Sequence, residues 1–218
     1  MELDKEFKIT GKPTDGPISR YVNRRISTRI TRFIIKHNIP LTPNQISVIS
    51  FIMALAVLPL YLYGYSIPAG ILVQLSSIID GVDGELARAL NMISKKGGFI
   101  DTILDRYSDI IILLSLILYL SSTRYLAIHI LIFAVLCISG TLMVSYIHTR
   151  GQYDFEIHPA YIGYLDSIAS RDVRLFIIFI GSVIGLIEYT IIILAIITHI
   201  YVIVKTINMI AMKHEEIQ

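Results

Sequence analysis

Five aspartates stand inside apolar stretches of the sequence: Asp80, Asp83, Asp101, Asp105 and Asp109. A charged side chain at the centre of a membrane helix costs ~2.5–3.5 kcal/mol on insertion scales, so acids at such positions are retained for function. Carboxylates packed together repel one another and must be neutralised by protons or cations. Oxygen ligands without His or Cys favour hard ions, Mg²⁺ or Mn²⁺ and also Ca²⁺, over zinc. The pattern predicts a metal centre that could clamp a diphosphate during displacement at phosphorus.

Helical geometry brings four of these acids together. With 3.6 residues per turn, Asp80 and Asp83 share one stripe of a helix, and Asp101 and Asp105 share one stripe of the next. Counting ~1.5 Å per residue from the polar turn between the two helices places Asp80 and Asp105 both at ~12 Å depth. Asp83 and Asp101 come out at matching shallower depths. Two antiparallel neighbours therefore present four carboxylates to one volume. Asp109, one turn further on, is expected to support them or to pair with Arg106 rather than to bind metal.

The helices that position these acids are predicted to span a membrane. Of the 218 residues, 54% are hydrophobic and 17% are charged, and the mean hydropathy is +0.67. This composition excludes a disordered chain and argues against a water-soluble domain and a nucleic-acid partner. We predict an all-α polytopic membrane protein, because ~20 apolar residues suffice for one crossing. The expected spans are about 43–64, 67–91, from the polar break at 94–98 to 120, 124–149, 171–187 and 189–210.

A basic segment precedes the first span. Apolar residues recur there at helical spacing and alternate with five arginines: Ile18, Val22, Ile26, Ile30, Phe33 and Ile34, with Arg20, Arg24, Arg25, Arg29 and Arg32. Such a pattern is typical of an amphipathic helix that lies at the level of the lipid headgroups. A role in gripping an anionic substrate is the alternative. We therefore divide the chain into a cytoplasmic segment with an interfacial helix (1–40), a six-helix transmembrane catalytic domain (41–212) and a cytoplasmic tail (213–218).

The distribution of Lys and Arg predicts the orientation. The N-terminal segment, the turn near 92–97, the 150–174 segment and the tail hold nearly all of them, whereas the opposite turns hold only Arg124. By the positive-inside rule, both termini and the carboxylate cluster face the cytoplasm of a multi-pass protein in the cell membrane.

The spacing of the acids resembles a family signature. Asp80-x2-Asp83-Gly84-x2-Ala87-Arg88-x8-Gly97-x3-Asp101-x3-Asp105 is similar, position for position, to the motif of the CDP-alcohol phosphotransferases. This resemblance implies transfer of a substituted phosphate from a CDP-alcohol to an acceptor hydroxyl, with release of CMP. It also implies two divalent cations, Mg²⁺ or Mn²⁺, and a homodimer.

The resemblance further implies roles for individual residues. The metal ligands would be Asp80, Asp83, Asp101 and Asp105, and Asp105 would also be the catalytic base for the acceptor hydroxyl. The CDP moiety would be bound by Asn44, Asp80, Asp83, Gly84, Ala87, Arg88 and Gly97. For Asn44, at the head of the first span, the alternative is a helix N-cap.

The substrates are suggested by a second resemblance. The segment Asp15–Ser27 is similar to the opening of the membrane domain of archaeal di-myo-inositol phosphate phosphate synthases, which implies CDP-inositol as donor and inositol phosphate as acceptor. A phospholipid synthase is the alternative, with CDP-diacylglycerol or CDP-archaeol donating to inositol phosphate, glycerol phosphate or serine. A divalent-cation or proton-coupled transporter is the alternative from another class, because acids within membranes also mark ion pathways.

A phosphorylated acceptor would need arginines near the catalytic acid. Arg106 directly follows Asp105 and is the first candidate, followed by Arg150 and Arg171, with Arg174 also at a suitable position. For the last three, an ordinary topological role at the cytoplasmic end of a span is the alternative. His148 and His158 lack the spacing of metal ligands and are assigned to loop or interface positions.

Overall fold

A computed structural model describes residues 11, 14–123, 127–163, 165 and 167–211 of the chain. These residues form α-helices and no strands, which confirms the all-α prediction. The helices are α1 (Arg24–Lys36), α2 (Pro43–Leu62), α3 (Ser66–Ala89), α4 (Lys95–Thr123), α5 (Ile128–Asp154), α6 (Arg171–Val183) and α7 (Ile187–Ala211). A π-helical segment, Ser19–Asn23, leads into α1, and a 3₁₀ turn, Pro159–Tyr161, lies between α5 and α6. The predicted tail, 213–218, and Arg124 lie outside the described residues.

Within the part of the chain that the structure describes, three helices are long and apolar enough to cross a membrane: α2, α5 and α7, with 20, 27 and 25 residues. Helices α3 and α4, with 24 and 29 residues, exceed the required length but contain the charged residues of the site. Helix α6 has 13 residues, which corresponds to a length of ~20 Å at 1.5 Å per residue. The chain therefore has the helices of an integral membrane protein, and the count of six spans stays a prediction.

Local hydrogen bonds explain where two of these helices begin. At the start of α2, Thr42 and Gln45 form a reciprocal capping box, and Pro43 takes the first helical position. Asn44 is therefore not the N-cap. The polar break predicted at 94–98 is shorter in the structure, because α4 already begins at Lys95. The hydroxyl of Ser94 accepts a hydrogen bond from the backbone N–H of Gly97 at 3.0 Å and satisfies a free donor of the first turn.

Helix α5 ends later than predicted, at Asp154 rather than near 149. Arg150 and Asp154 lie one turn apart and form an ion pair of 2.8 Å, which favours the extra turn. Gly151 lies in this turn, where an ideal Cβ would come within 2.9 Å of Cδ of Pro159. The absent side chain lets the following connection fold back tightly onto α5.

The core is built from closely packed helices. An apolar cluster joins helices α2 to α7 and includes Val57, Val73, Leu116, Ile178 and Leu194, each at most 2% exposed. Small residues permit the close approach that membrane helices use for packing. An ideal Cβ on Gly140 of α5 would clash with Thr198 of α7, and one on Gly181 of α6 would clash with Thr190 of α7.

Helix α1 is attached to α3 by polar contacts. Glu85 of α3 is fully buried, and its carboxylate accepts hydrogen bonds from four side chains of α1. These donors are Arg24 Nη1 at 2.6 Å, Ser27 Oγ at 2.7 Å, Thr28 Oγ1 at 3.2 Å and Thr31 Oγ1 at 2.7 Å. A buried carboxylate with four donors is well satisfied, so Glu85 fixes α1 beside the carboxylates of the same helix.

The segment before α1 also contacts α6. The backbone N–H of Ser19 donates to Oδ2 of Asp172 at 2.6 Å. Farther along, Asn23 donates to Ser77 Oγ at 3.1 Å and accepts from Gln74 at 2.7 Å. The N-terminal segment therefore bridges α3 and α6 at the end of the bundle that holds the acids.

Candidate active site

Three carboxylates of the predicted set converge between α3 and α4. Asp80, Asp101 and Asp105 each place one oxygen within 4.8 Å of the others, as a shared cation requires. Asp83 is buried beside them, and its Oδ2 accepts a hydrogen bond from Ser47 at 2.5 Å. A set of carboxylate oxygens at this spacing fits a hard divalent cation such as Mg²⁺ or Mn²⁺.

Arg171, the first residue of α6, reaches into this cluster. Its Nη1 lies 2.7 Å from Oδ2 of Asp80 and 2.8 Å from Oδ1 of Asp105. Its Nε donates to Oδ1 of Asp109 at 3.0 Å, and Arg174 donates to the other oxygen of Asp109 at 2.9 Å. Asp109 therefore orients two arginines from the opposite helix, because a buried carboxylate with charged donors on both oxygens fixes their geometry.

A cavity of about 270 Å³ lies on one side of the carboxylates, between the heads of α2 and α4 and the end of α3. It is lined by nearly all of the residues predicted to bind CDP: Asn44, Asp83, Gly84, Ala87, Arg88 and Gly97. Asp80, which is also predicted to bind CDP, lines a second, adjoining cavity instead. Gly97 of α4 lies against Asn44 of α2, since a Cβ at this position would lie 3.0 Å from Oδ1 of Asn44. We call this space the first cavity.

A second cavity of about 330 Å³ lies on the other side. It is lined by charged residues of α3, α4 and α6: Asp80, Asp105, Arg106, Arg171 and Arg174. Asp83, Gly84 and Asp101 line both cavities, so the spaces meet at the carboxylate cluster. Two reactants, one in each cavity, would thus come together at the acids.

The predicted acceptor arginines are placed differently. Arg106 lines the second cavity, with Nη2 3.7 Å from Asp105 and Nη1 3.5 Å from Asp109. Arg171 lines the same cavity. Arg150 is half exposed, pairs with Asp154, and is not among the residues that line it. The structure thus groups Arg106 with Arg171, and a contact of Arg150 with the acceptor stays a prediction.

Sequence reasoning assigned no site role to several residues of the second cavity. His148 at the end of α5 and His158 in the following connection both line it, together with Asp15 and Arg24 of the N-terminal segment. Asp15 and Arg24 form an ion pair of 2.8 Å. These residues enter the site through contacts between distant parts of the chain. The basic pattern around Arg24 could have indicated this placement, because its alternative interpretation was a segment that binds an anionic substrate.

The sequence model of the CDP-alcohol phosphatidyltransferases matches residues 40–212, which include the five aspartates of α3 and α4. The chain belongs to this family. The resemblance seen in the spacing of the aspartates is thereby confirmed.

Similar proteins include a bifunctional IPC transferase and DIPP synthase of Archaeoglobus fulgidus, 41% identical over 76% of this chain and 32% of that protein. The corresponding protein of Aquifex aeolicus is 37% identical over 87% of this chain and 43% of its own length. The chain thus spans about a third to two fifths of these relatives. An archaetidylinositol phosphate synthase of Pyrococcus horikoshii is 34% identical over 72% of this chain and 78% of that protein.

Solved structures share the fold. A phosphatidylinositol phosphate synthase of Mycobacterium tuberculosis with CDP-DAG bound matches with a TM-score of 0.71 at 20% identity, over 86% of this chain and 94% of that one. A second structure of that enzyme, in complex with manganese and citrate, gives the same TM-score of 0.71 over 85% of this chain and 90% of that one.

Proposed function

We propose that the protein transfers a substituted phosphate group from a CDP-alcohol to the hydroxyl of an acceptor alcohol and releases CMP. The observation that carries this proposal is the meeting of two cavities at one carboxylate cluster. One cavity would hold the CDP-alcohol and the other the acceptor. Family membership supports the same reaction class.

The first cavity suits the nucleotide. Arg88 at the end of α3 offers a cation for a phosphate, and Gly84 and Gly97 leave room for the ligand at its walls. Asn44 is free to contact the nucleotide because Thr42 caps α2. Two divalent cations, Mg²⁺ or Mn²⁺, held by Asp80, Asp83, Asp101 and Asp105, would neutralise the diphosphate and the charge that develops on the transferred phosphate.

The second cavity suits the acceptor and its activation. The hydroxyl oxygen of the acceptor attacks the phosphorus that bears the donor alcohol, its proton passes to Asp105, and the bond from that phosphorus to the CMP oxygen breaks. Arg171 holds Asp80 and Asp105 in position through its two short contacts. Arg106 and Arg171 supply positive charge for a phosphate on the acceptor.

We propose CDP-inositol and inositol phosphate as the substrates, which would give di-inositol phosphate phosphate. The segment Asp15–Ser27 supports this choice, as do relatives named DIPP synthase. Transfer from CDP-archaeol or CDP-diacylglycerol to inositol phosphate is the second candidate. It is favoured by relatives named archaetidylinositol phosphate synthase and by the bound CDP-DAG of the mycobacterial enzyme.

We further propose that six helices, α2 to α7, cross the membrane, with the termini and the site on the cytoplasmic side. Tyr21, Ile26 and Phe33 are exposed around α1, where they would enter the headgroup layer as an interfacial helix does. Cysteine labelling from either side of vesicles would test this topology. Cross-linking in native membranes would test for the homodimer that the family suggests.

The reaction is tested by measuring CMP release from purified protein with Mg²⁺, over a matrix of donors and acceptors. The donors are CDP-inositol, CDP-archaeol and CDP-diacylglycerol, and the acceptors are inositol phosphate, glycerol phosphate and serine. We expect CMP release that depends on inositol phosphate and disappears in Asp101→Asn. Asp154→Asn is the matched control, because Asp154 lies in a surface ion pair outside both cavities. A folded protein that releases no CMP with any pair would exclude the proposed function.

The acceptor site is tested with Arg106→Ala. Because Arg106 lines the second cavity and not the first, we expect a higher KM for the phosphorylated acceptor and an unchanged KM for the donor. Arg150→Ala tests whether Arg150, which was also predicted to bind the acceptor, contributes to acceptor binding. A larger effect of Arg150→Ala than of Arg106→Ala would contradict the placement of the acceptor in this cavity.

A further inference from the structure

One wall of the second cavity is polar but uncharged. Ser145 and His148 of α5 and His158 of the following connection line this wall. Asp105 and Arg171 line the same cavity from α4 and α6. A ligand in this cavity therefore meets both charged groups and uncharged hydrogen-bonding groups.

The local geometry fixes the proton of His158. Its Nδ1 accepts a hydrogen bond from the backbone N–H of Ala160 at 3.2 Å, so the proton of the neutral ring lies on Nε2. Burial lowers the pKa of His158, and the positive charge of Lys205 lowers it further. His158 is therefore a neutral ring with one N–H donor, and the packing of Pro159 against Gly151 holds the connection in place.

His148 is held against α7. Its Nε2 lies 2.8 Å from the hydroxyl of Tyr201, which is 1% exposed. The ring centroids of His148 and His158 are 4.6 Å apart. Lys205, one turn after Tyr201, is fully buried and donates to the carbonyl of Ile162 at 2.7 Å, which ties the connection to α7. Both imidazoles are thus fixed by contacts behind them, as a preorganised binding site requires.

A polyol phosphate has the matching chemistry. Its phosphate needs cationic donors such as Arg106 and Arg171. Its hydroxyls both donate and accept, so they can pair with the Nε2–H donor of His158, with the remaining ring nitrogen of His148 and with the hydroxyl of Ser145. We propose that His148 and His158 bind the ring hydroxyls of a polyol phosphate acceptor and so determine acceptor specificity. This assignment rests on the proposed function, since it gives the acceptor cavity its substrate class.

The test begins with two substitutions of His158. In His158→Asn the side-chain oxygen can still accept from Ala160, but the Nε2 donor is lost; in His158→Gln the amide lies near the former Nε2. One hydrogen bond in a binding site is worth ~0.5–1.5 kcal/mol, so we expect His158→Asn to raise the KM for inositol phosphate roughly two- to tenfold. The KM for the CDP-alcohol should not change, and His158→Gln should recover part of the loss.

Deoxy analogues of inositol phosphate show whether His158 binds a ring hydroxyl or has only a structural role. In the wild type, removing the hydroxyl that His158 contacts should weaken binding. In His158→Asn the same removal should have little further effect, because the partner is already missing. His199→Asn is the matched control. Like His148, His199 joins α5 and α7, through the carbonyl of Leu136 at 3.1 Å, but it is not among the residues that line the cavity.

The outcomes are distinct. The assignment is supported if substitution of a cavity histidine weakens the binding of some analogues more than that of others, and His199→Asn does not. Equal losses for every acceptor, or an unchanged KM, overturn it while the proposed function stands. A wild-type protein whose CMP release does not respond to inositol phosphate removes the proposed function, and this inference with it.

Discussion

The attachment of α1 through Glu85 makes a prediction whose size follows from the contacts. Glu85→Ala removes four hydrogen bonds and leaves the buried end of Arg24 with Asp15 as its remaining carboxylate partner. Breaking a buried ion pair by removing one partner costs ~3–5 kcal/mol. Glu85→Gln keeps the shape and one acceptor oxygen but removes the negative charge, so hydrogen bonds from the hydroxyl donors become neutral ones, which are about half as strong. We expect that change to cost ~1–2 kcal/mol.

Hydrogen exchange measured by mass spectrometry reports this loss locally. If α1 opens independently of the other helices, its protection factors follow the free energy of this local opening. A loss of ~3–5 kcal/mol in Glu85→Ala lowers them by at least a hundredfold, and a loss of ~1–2 kcal/mol in Glu85→Gln lowers them about five- to thirtyfold. Peptides from α7 should keep wild-type exchange. Asp154→Ala is the control, because an exposed i,i+4 pair is worth only ~0.3–0.5 kcal/mol. Wild-type exchange of α1 in Glu85→Ala would refute the role of this carboxylate.

Two glycines give further predictions. Gly97→Ala would bring a Cβ to 3.0 Å from Asn44 Oδ1 and narrow the first cavity, so the KM for the CDP-alcohol should rise several-fold above that of the wild type. If Gly97→Ala had the same KM for the CDP-alcohol as the wild type, the nucleotide would bind elsewhere. Gly140→Ala would press on Thr198, and overpacking of this kind costs ~1–3 kcal/mol. Thermal unfolding should show a lower Tm that Thr198→Ala partly restores, whereas an unchanged Tm would show that α5 and α7 separate freely.

The convergence of the acids was predictable because it depends on local counting. Asp80 and Asp105 lie at equal distances from one turn, and helical periodicity aims them at the same space. The first cavity was predictable for the same reason, since its residues cluster around that turn. The start of α4 was placed too late because the contribution of Ser94 as a cap was not considered.

The second cavity depends on contacts between distant helices. His148, His158 and Arg174 reach it only because α5 and α6 pack beside α3 and α4, and neither periodicity nor spacing specifies that arrangement. Glu85 lies inside the aspartate motif, at a position where the signature fixes no residue type. Its role appeared only when α1 was seen to dock against α3.

The most direct test of the central claim is the binding of Mn²⁺, followed by electron paramagnetic resonance with and without a CDP-alcohol. If the carboxylates hold cations that grip the diphosphate, the wild type binds Mn²⁺ and the donor tightens it, because coupling between two ligands is reciprocal. Asp101→Asn should lose both the metal and this coupling, while Asp154→Asn keeps them. Donor binding that is equally tight with excess chelator, or unchanged Mn²⁺ affinity in Asp101→Asn, would contradict the account.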